Sequence, residues 1–287
     1  RFRRLELSAG FYHSLENFED PSVQTANQAF LSNEFGVELF RDGLFAPITA
    51  TYVQETTVFR EFGPLAGNTV RISFTESPKL GNTLSQRSVD ADARYYFRLG
   101  DTGLLAFRAR GFQSWGDYPD FTFFGGNSEM RGYEYLEFIG HKAFFANVEL
   151  RFPLVTAMAT PIGILGGIRG TFFFNIGAAA INNQPFTPYT SDPEQVSPVM
   201  GVLTDPNTGL LTPIRANPMT VSGFRLKDAR ASYGFGLQTM ALGFPIHFDW
   251  SWRTLFNETW ENMLFGGFTG GEAFRRAKFD VWIGYDF

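Results

Sequence analysis

The feature that most limits what this chain can fold into is a period of two, repeated from end to end. In 88–98, Val89, Ala91, Ala93, Tyr95 and Phe97 share one face, and Asp90, Asp92, Arg94, Tyr96 and Arg98 share the other. In 144–152, Ala146, Val148, Leu150 and Phe152 oppose Asn147, Glu149 and Arg151. In 246–253, Ile246, Phe248, Trp250 and Trp252 oppose His247, Asp249, Ser251 and Arg253, and 279–287 alternates in the same way up to Phe287. Such alternation is the pattern of a strand with one apolar and one polar face. No stretch approaches 18 apolar residues, so a membrane-spanning helix is not expected.

The period predicts about eleven strands, near 2–12, 29–41, 47–58, 68–77, 86–98, 103–115, 142–154, 165–179, 229–241, 245–255 and 276–287. Many exceed the usual soluble strand of about 5–6 residues and reach the roughly 9–11 residues that a tilted strand needs to cross a bilayer. The 34 Phe and 10 Tyr are a heavy aromatic load for a soluble core. They suit a lipid-facing surface bounded by aromatic girdles. The net charge of -5 argues against nucleic acid, whose binding domains are strongly basic. With no Cys, disulfide frameworks and thiolate metal sites are excluded.

Magnitude decides which face meets lipid. Arg on the lipid face near the midplane costs roughly 2–4 kcal/mol, and Arg108 and Arg110 share one parity, which doubles the penalty for the wrong choice. The ionic face therefore points inward and the Phe/Val/Leu face outward. A soluble sandwich, with the apolar face as its core, is the alternative. It fits the long strands poorly. Counting back from a periplasmic C-terminus, 255–275, 180–228 and 116–141 are external, while 242–244, 155–164 and 99–102 are short internal turns, the asymmetry expected of these barrels. Before residue 60 the order reverses: 13–28 is long yet nominally periplasmic, and the Asp42-Gly43 turn is short yet nominally external. The expected fold is an all-β, transmembrane, antiparallel up-and-down barrel with about 11–12 strands present. An open set leaves unpaired edges in lipid, where each unsatisfied backbone group costs several kcal/mol. Closure then calls for strands upstream of Arg1, strands from another chain, or one not read here. The chain opens inside a strand pattern and is read as a fragment of a longer precursor.

Segment 124–154, FGGNSEMRGYEYLEFIGHKAFFANVELRFPL, resembles the barrel of the BamA/TamA outer-membrane assembly family, also called the bacterial surface antigen family. The family carries an Arg-Gly-Phe/Tyr motif at the tip of a long external loop that folds into the lumen. Here the motif falls on Arg131, Gly132 and Tyr133, after Gly125-Gly126. The following strand matches in Asn147, Glu149, Arg151 and Pro153. The resemblance implies that Arg131 anchors the loop on acidic residues of the wall, with Glu149 and Asp228 as candidate partners. Asn175 stands where a family strand carries Asp, which removes one charge. Without the resemblance, Arg131 reads as an ordinary loop arginine. Segment 62–67, FGPLAG, resembles the family's Pro/Gly turn, and WIGYDF at the end resembles the terminal assembly signal in Gly284, Tyr285 and Phe287. The likeness runs from about residue 47 to 287. It implies the C-terminal eleven strands of a sixteen-stranded barrel, with the N-terminal strands and any periplasmic domain outside this sequence.

The resemblance implies a bacterial outer-membrane barrel that assists insertion or translocation of polypeptides or lipids. Its partners would be outer-membrane lipid and lipopolysaccharide, client outer-membrane proteins, and periplasmic or lipoprotein components. It implies no cofactor and no enzymatic activity. The alternatives are a membrane anchor or export channel for a fused soluble domain (POTRA repeats, a propeller or a lipase), or a simple solute pore. Other signals are bland. GGFTGGEAF at 266–274 lacks the Gly-Lys-Ser/Thr ending of a phosphate loop and reads as an external loop. His13, His141 and His247 are scattered without metal-ligand spacing. Asp90 and Asp92 read as part of a lumen charge ladder with Arg94, Arg108 and Arg110, and no Ser/His/Asp constellation is spaced for hydrolysis.

Overall fold

Ten antiparallel strands make one continuous wall in the computed structural model: β1 (Phe2–Ala9), β2 (Ile48–Glu55), β3 (Gly63–Ser77), β4 (Gln86–Leu99), β5 (Gly103–Gly116), β6 (Lys142–Thr160), β7 (Gly163–Ala180), β8 (Arg230–Ala241), β9 (Phe244–Thr254) and β10 (Lys278–Ile283). An eleventh, short strand, Val58–Arg60, pairs with the start of β3. The residues described are 2–15, 22, 25, 42–60, 63–100, 102–160, 163–204, 211–241, 244–265 and 270–284. Every strand pairs with its neighbour in chain order, which is the meander of an up-and-down barrel.

The alternation read from the sequence becomes a set of rungs running across the wall. Tyr95, Phe107, Val148, Phe174, Tyr233 and Trp252 are successive cross-strand partners from β4 to β9. One residue along, Arg94, Arg108, Asn147, Asn175, Ser232 and Arg253 form the neighbouring rung on the opposite face. The burial is inverted relative to a soluble protein. Phe107, Phe172 and Tyr233 are exposed, whereas Arg108, Asn147, Glu149, Arg151, Asn175 and Ser232 are buried. Neither Val148 nor Phe248 is buried, so among the described residues no second layer covers the apolar face at these positions as a sandwich would require.

The central strands are longer than the period predicted. β6 and β7 have 19 and 18 residues and continue past the expected ends at 154 and 165. Their pairing shifts register between Pro153 and Val155. Pro153 has no N–H to give the ladder, and a bulge there lets both strands run on. β3 starts at Gly63, so the FGPLAG segment supplies the opening of the strand. Gly67, at φ 106, marks the passage from the short strand to β2; a Cβ there would stand 2.5 Å from the Thr56 carbonyl oxygen.

The reversed loop order before residue 60 is corrected by the register. β1 pairs directly with β2, from Phe2 opposite Glu55 to Ala9 opposite Ile48. The whole of 10–47 is therefore one connection, and Tyr12–Ser14 pairs with Gly43–Phe45 within it. The strand expected at 29–41 lies outside the described residues. By strand order, 10–47, 117–141, 181–229, 255–277 and the shorter 78–85 link strands at one end of the wall, and 56–62, 100–102, 161–162 and 242–243 link them at the other. Segment 255–277 also holds two short helices, α1 (Glu258–Phe265) and α2 (Gly270–Arg275). Asn257 caps the first, its Oδ1 accepting the Trp260 N–H at 3.0 Å. Among the described residues no helix is long and apolar enough to cross a membrane.

Candidate functional site

The loop between β5 and β6 turns back onto the polar face of the wall. Its root is a hairpin of Thr122–Phe124 and Phe138–Gly140. Phe124 stacks on Phe138 at 4.7 Å and on Phe145 of β6 at 5.2 Å, which fastens the hairpin to the wall. Beyond it the chain makes a tight turn that needs glycine. Gly125 and Gly126 have φ of 140 and 81, and a Cβ on Gly125 would lie 2.5 Å from the Glu134 carbonyl oxygen. The Met130 N–H closes the turn on the Gly126 carbonyl at 2.8 Å, and the Glu129 carboxylate accepts the Gly125 N–H at 2.9 Å.

This turn delivers Arg131 between two carboxylates that come from strands three places apart. Its Nη2 is 2.8 Å from Oε1 of Glu149 on β6, and its Nε is 3.2 Å from Oδ2 of Asp249 on β9. The guanidinium carbon lies 4.4 Å from the centre of the Phe173 ring on β7, in cation–π geometry. Glu149 holds a second arginine with its other oxygen: Nε and Nη2 of Arg151 approach Oε2 at 2.8 and 2.7 Å. Asp249 also accepts the indole N–H of Trp282 at 2.7 Å. Arg131, Arg151, Glu149 and Asp249 are all buried, and two cations face two anions. Buried charges persist only when paired and hydrogen-bonded in this way.

Small residues make room for the clasp. Gly132 has φ 87 and sits against β9, where a Cβ would be 2.9 Å from Ser251 Oγ. On β8 a Cβ at Gly234 would meet the Phe173 ring at 2.7 Å, and one at Gly236 would meet Asp249 Oδ1 at 2.1 Å. Tyr133 is buried, its hydroxyl donating to the Ala231 carbonyl at 3.0 Å. Arg108 reaches the Ser128 carbonyl from β5, and Asn147 donates to the Glu129 carbonyl from β6. Lys278 of β10 meets Glu134 at 2.8 Å. The loop thus touches the polar face from β5 to β10.

The expected partners divide. Glu149 contacts Arg131. Asn175 lies beneath the tip in an amide relay, accepting from Asn147 at 2.8 Å and donating to Ser232 Oγ at 3.1 Å. Asp228 sits away from the clasp in the 181–229 loop, where it accepts the Thr187 N–H at 2.6 Å. The second carboxylate at the guanidinium is Asp249. Its parity was visible in the alternation of 246–253, but parity does not tell which inward residue lies under the loop. Of the terminal triplet, the Gly284 carbonyl is 2.9 Å from His247 Nε2, and Tyr285 and Phe287 lie outside the described residues. The ionic ladder also closes into pairs: Asp92 with Arg94 and Arg108 at 3.0 and 2.8 Å, and Asp90 with Arg110 at 2.8 Å.

An antiparallel meander with an ionic inner face, an apolar outer face and a loop folded onto the ionic side defines a transmembrane β-barrel of the outer-membrane type. More narrowly, the chain belongs to the Omp85 superfamily, whose domain matches residues 56–285. The match covers the clasp and the strands that carry it, and agrees with the resemblance seen at 124–154. The superfamily is one of outer-membrane insertion and translocation proteins, in general not enzymes. A search of the curated proteins found no match.

Proposed function

We propose that this barrel assists the insertion or translocation of polypeptides or lipids at the bacterial outer membrane, with the 117–141 loop entering from the external side and occupying the lumen. The observation that carries the reading is the Arg131 clasp: a loop tip held on the inner wall by buried ion pairs to Glu149 and Asp249. A general solute pore has no need of such a plug. In this reading the long-loop end is external and 181–229 is a second external loop. Tyr285 and Phe287 complete an assembly signal with Gly284, and lipid, lipopolysaccharide and client outer-membrane proteins are the partners.

The test reconstitutes the full chain in vesicles and follows insertion of an unfolded outer-membrane client by protease protection. Insertion should be faster than in empty vesicles, and Arg131→Ala and Arg131→Lys should both reduce it, because Lys lacks the planar fork that bridges two carboxylates. Insertion no faster than in empty vesicles would overturn the proposal. So would full activity in both variants.

A further inference from the structure

The outer face carries an aromatic girdle near the long-loop end. Tyr233 stacks on Trp252 at 6.1 Å, Phe235 on Trp250 at 5.0 Å, and Trp250 lies against Phe279 at 4.8 Å. Phe174, the cross-strand neighbour of Tyr233, belongs to the same belt. From Phe174 the aromatic series leaves the wall and climbs onto the loops. Phe256 is 6.2 Å from Phe174, Phe224 is 5.9 Å from Phe256, and Tyr189 is 5.9 Å from Phe224.

These three loop rings stand outside the core that their own loops build. Val221, Leu226, Leu255, Trp260, Met263 and Phe274 are buried together between 181–229 and 255–277. Phe256, Phe224 and Tyr189 are 46%, 49% and 63% exposed beside it. The backbone holds them there. Phe256 has φ 62, an outlier for a bulky residue, and its N–H is tied to Thr254 Oγ1 at 2.9 Å. Phe224 precedes Arg225, which is fixed by Glu194 at 3.1 Å and by the Trp260 ring at 5.1 Å. A strained residue that turns a ring outward points to a use for that ring.

We infer that Phe256, Phe224 and Tyr189 rest in the lipid leaflet, so that loops 181–229 and 255–277 lean over the membrane at the boundary of acyl chains and headgroups. Continuity argues for lipid over a protein partner, because the series begins on Phe174, on the face that meets hydrocarbon. Its order argues the same way: three phenyl rings lead outward to a tyrosine, whose hydroxyl suits the wet edge of the belt. The inference rests on the lipid-facing wall and is independent of the proposed insertion activity.

The absence of cysteine makes the test direct, since one introduced thiol is the only thiol in the chain. Phe224→Cys and Tyr189→Cys, each carrying an environment-sensitive nitrobenzoxadiazole label, are refolded in phosphatidylcholine vesicles, with Gln195→Cys as an exposed control. Labels at 224 and 189 should emit further to the blue than the control. Lipid bearing a doxyl group high on the acyl chain should quench them several-fold more than the control, and iodide several-fold less. Quenching by iodide at control level, with no effect of doxyl lipid, would overturn the inference. So would burial that grows with protein-to-lipid ratio and ignores doxyl lipid, which would assign the rings to a contact between copies. If Phe224→Cys does not fold, judged by heat-modifiable gel mobility, Tyr189→Cys at the outer edge carries the test.

Discussion

The 117–141 loop and the pair of loops 181–229 and 255–277 leave the same end of the wall and are held by different physics. The tip of the first lies on the ionic face, above a root whose aromatic rings pack on Phe145. It is fixed by a guanidinium between two carboxylates and by backbone carbonyls that accept from Arg108 and Asn147. The other two stand at the end of the wall, where Arg253 of β9 donates to the Phe274 and Ala273 carbonyls at 3.1 and 3.5 Å. They bury their own apolar cluster around Trp260 and Met263, with the Trp260 indole N–H donating to the Leu226 carbonyl at 2.9 Å. The surface a loop meets decides which interaction holds it.

This contrast can be broken by substitution. Arg131→Ala should have the largest effect on the whole barrel, since removing one partner of a buried ion pair costs about 3–5 kcal/mol. The midpoint of urea unfolding of the refolded protein in vesicles reads it, and Arg131→Lys should recover only a minor part. Unchanged midpoints in both would mean that charge does not hold the inner loop. Trp260→Ala should cost a similar amount, about 3–5 kcal/mol for a large buried aromatic, but locally. Amide exchange should rise across 181–229 and 255–277 while β4 to β8 keep their protection. A wall that loosened together with the loops would show that the two regions are not separate units.

Gly132→Ala sharpens the inner half of the comparison. The left-handed conformation costs an L residue about 1–2 kcal/mol, and the new methyl would press on Ser251 Oγ. The double variant with Ser251→Ala should relieve the clash with Oγ, while the Ser251 Cβ at 3.2 Å and the backbone penalty remain, as read by the same unfolding midpoint. The smallest effect is expected from acid. Lys227 beside Glu194, with Arg225 adding to it, holds that carboxyl below its ordinary range. A depressed carboxyl stabilises the outer loop at neutral pH, and that contribution is lost as pH falls through its lowered value, below the usual Glu range near about 4.3. Amide exchange in the Met219–Val221 and Glu194–Val196 hairpin should rise there, with Glu194→Gln removing the dependence.

Much of this was legible in the residues. The period of two placed the wall strands and both faces, because a strand on a lipid wall has to alternate to keep its charges out of hydrocarbon. Arg131 and Glu149 were legible through the motif and the strand after it. Asp249 was not singled out, because which strands face each other beneath a loop depends on how far the tip reaches, and that is set by φ at Gly125, Gly126 and Gly132. The helices of 255–277 were missed although Asn257 is a good cap, since Gly-rich flanks hide a helix of two turns. The pairing of β1 with β2 was not legible, because the alternation in each strand fixes its faces and leaves its partner open.

The position of Arg131 has a mechanical consequence. Glu149 and Asp249 are separated by three hydrogen-bonded seams of the sheet, and one side chain joins them from within. A crossbeam of this kind opposes splaying and shear between β6 and β9, and the Trp282 indole extends the brace to β10 through the same Asp249 carboxylate.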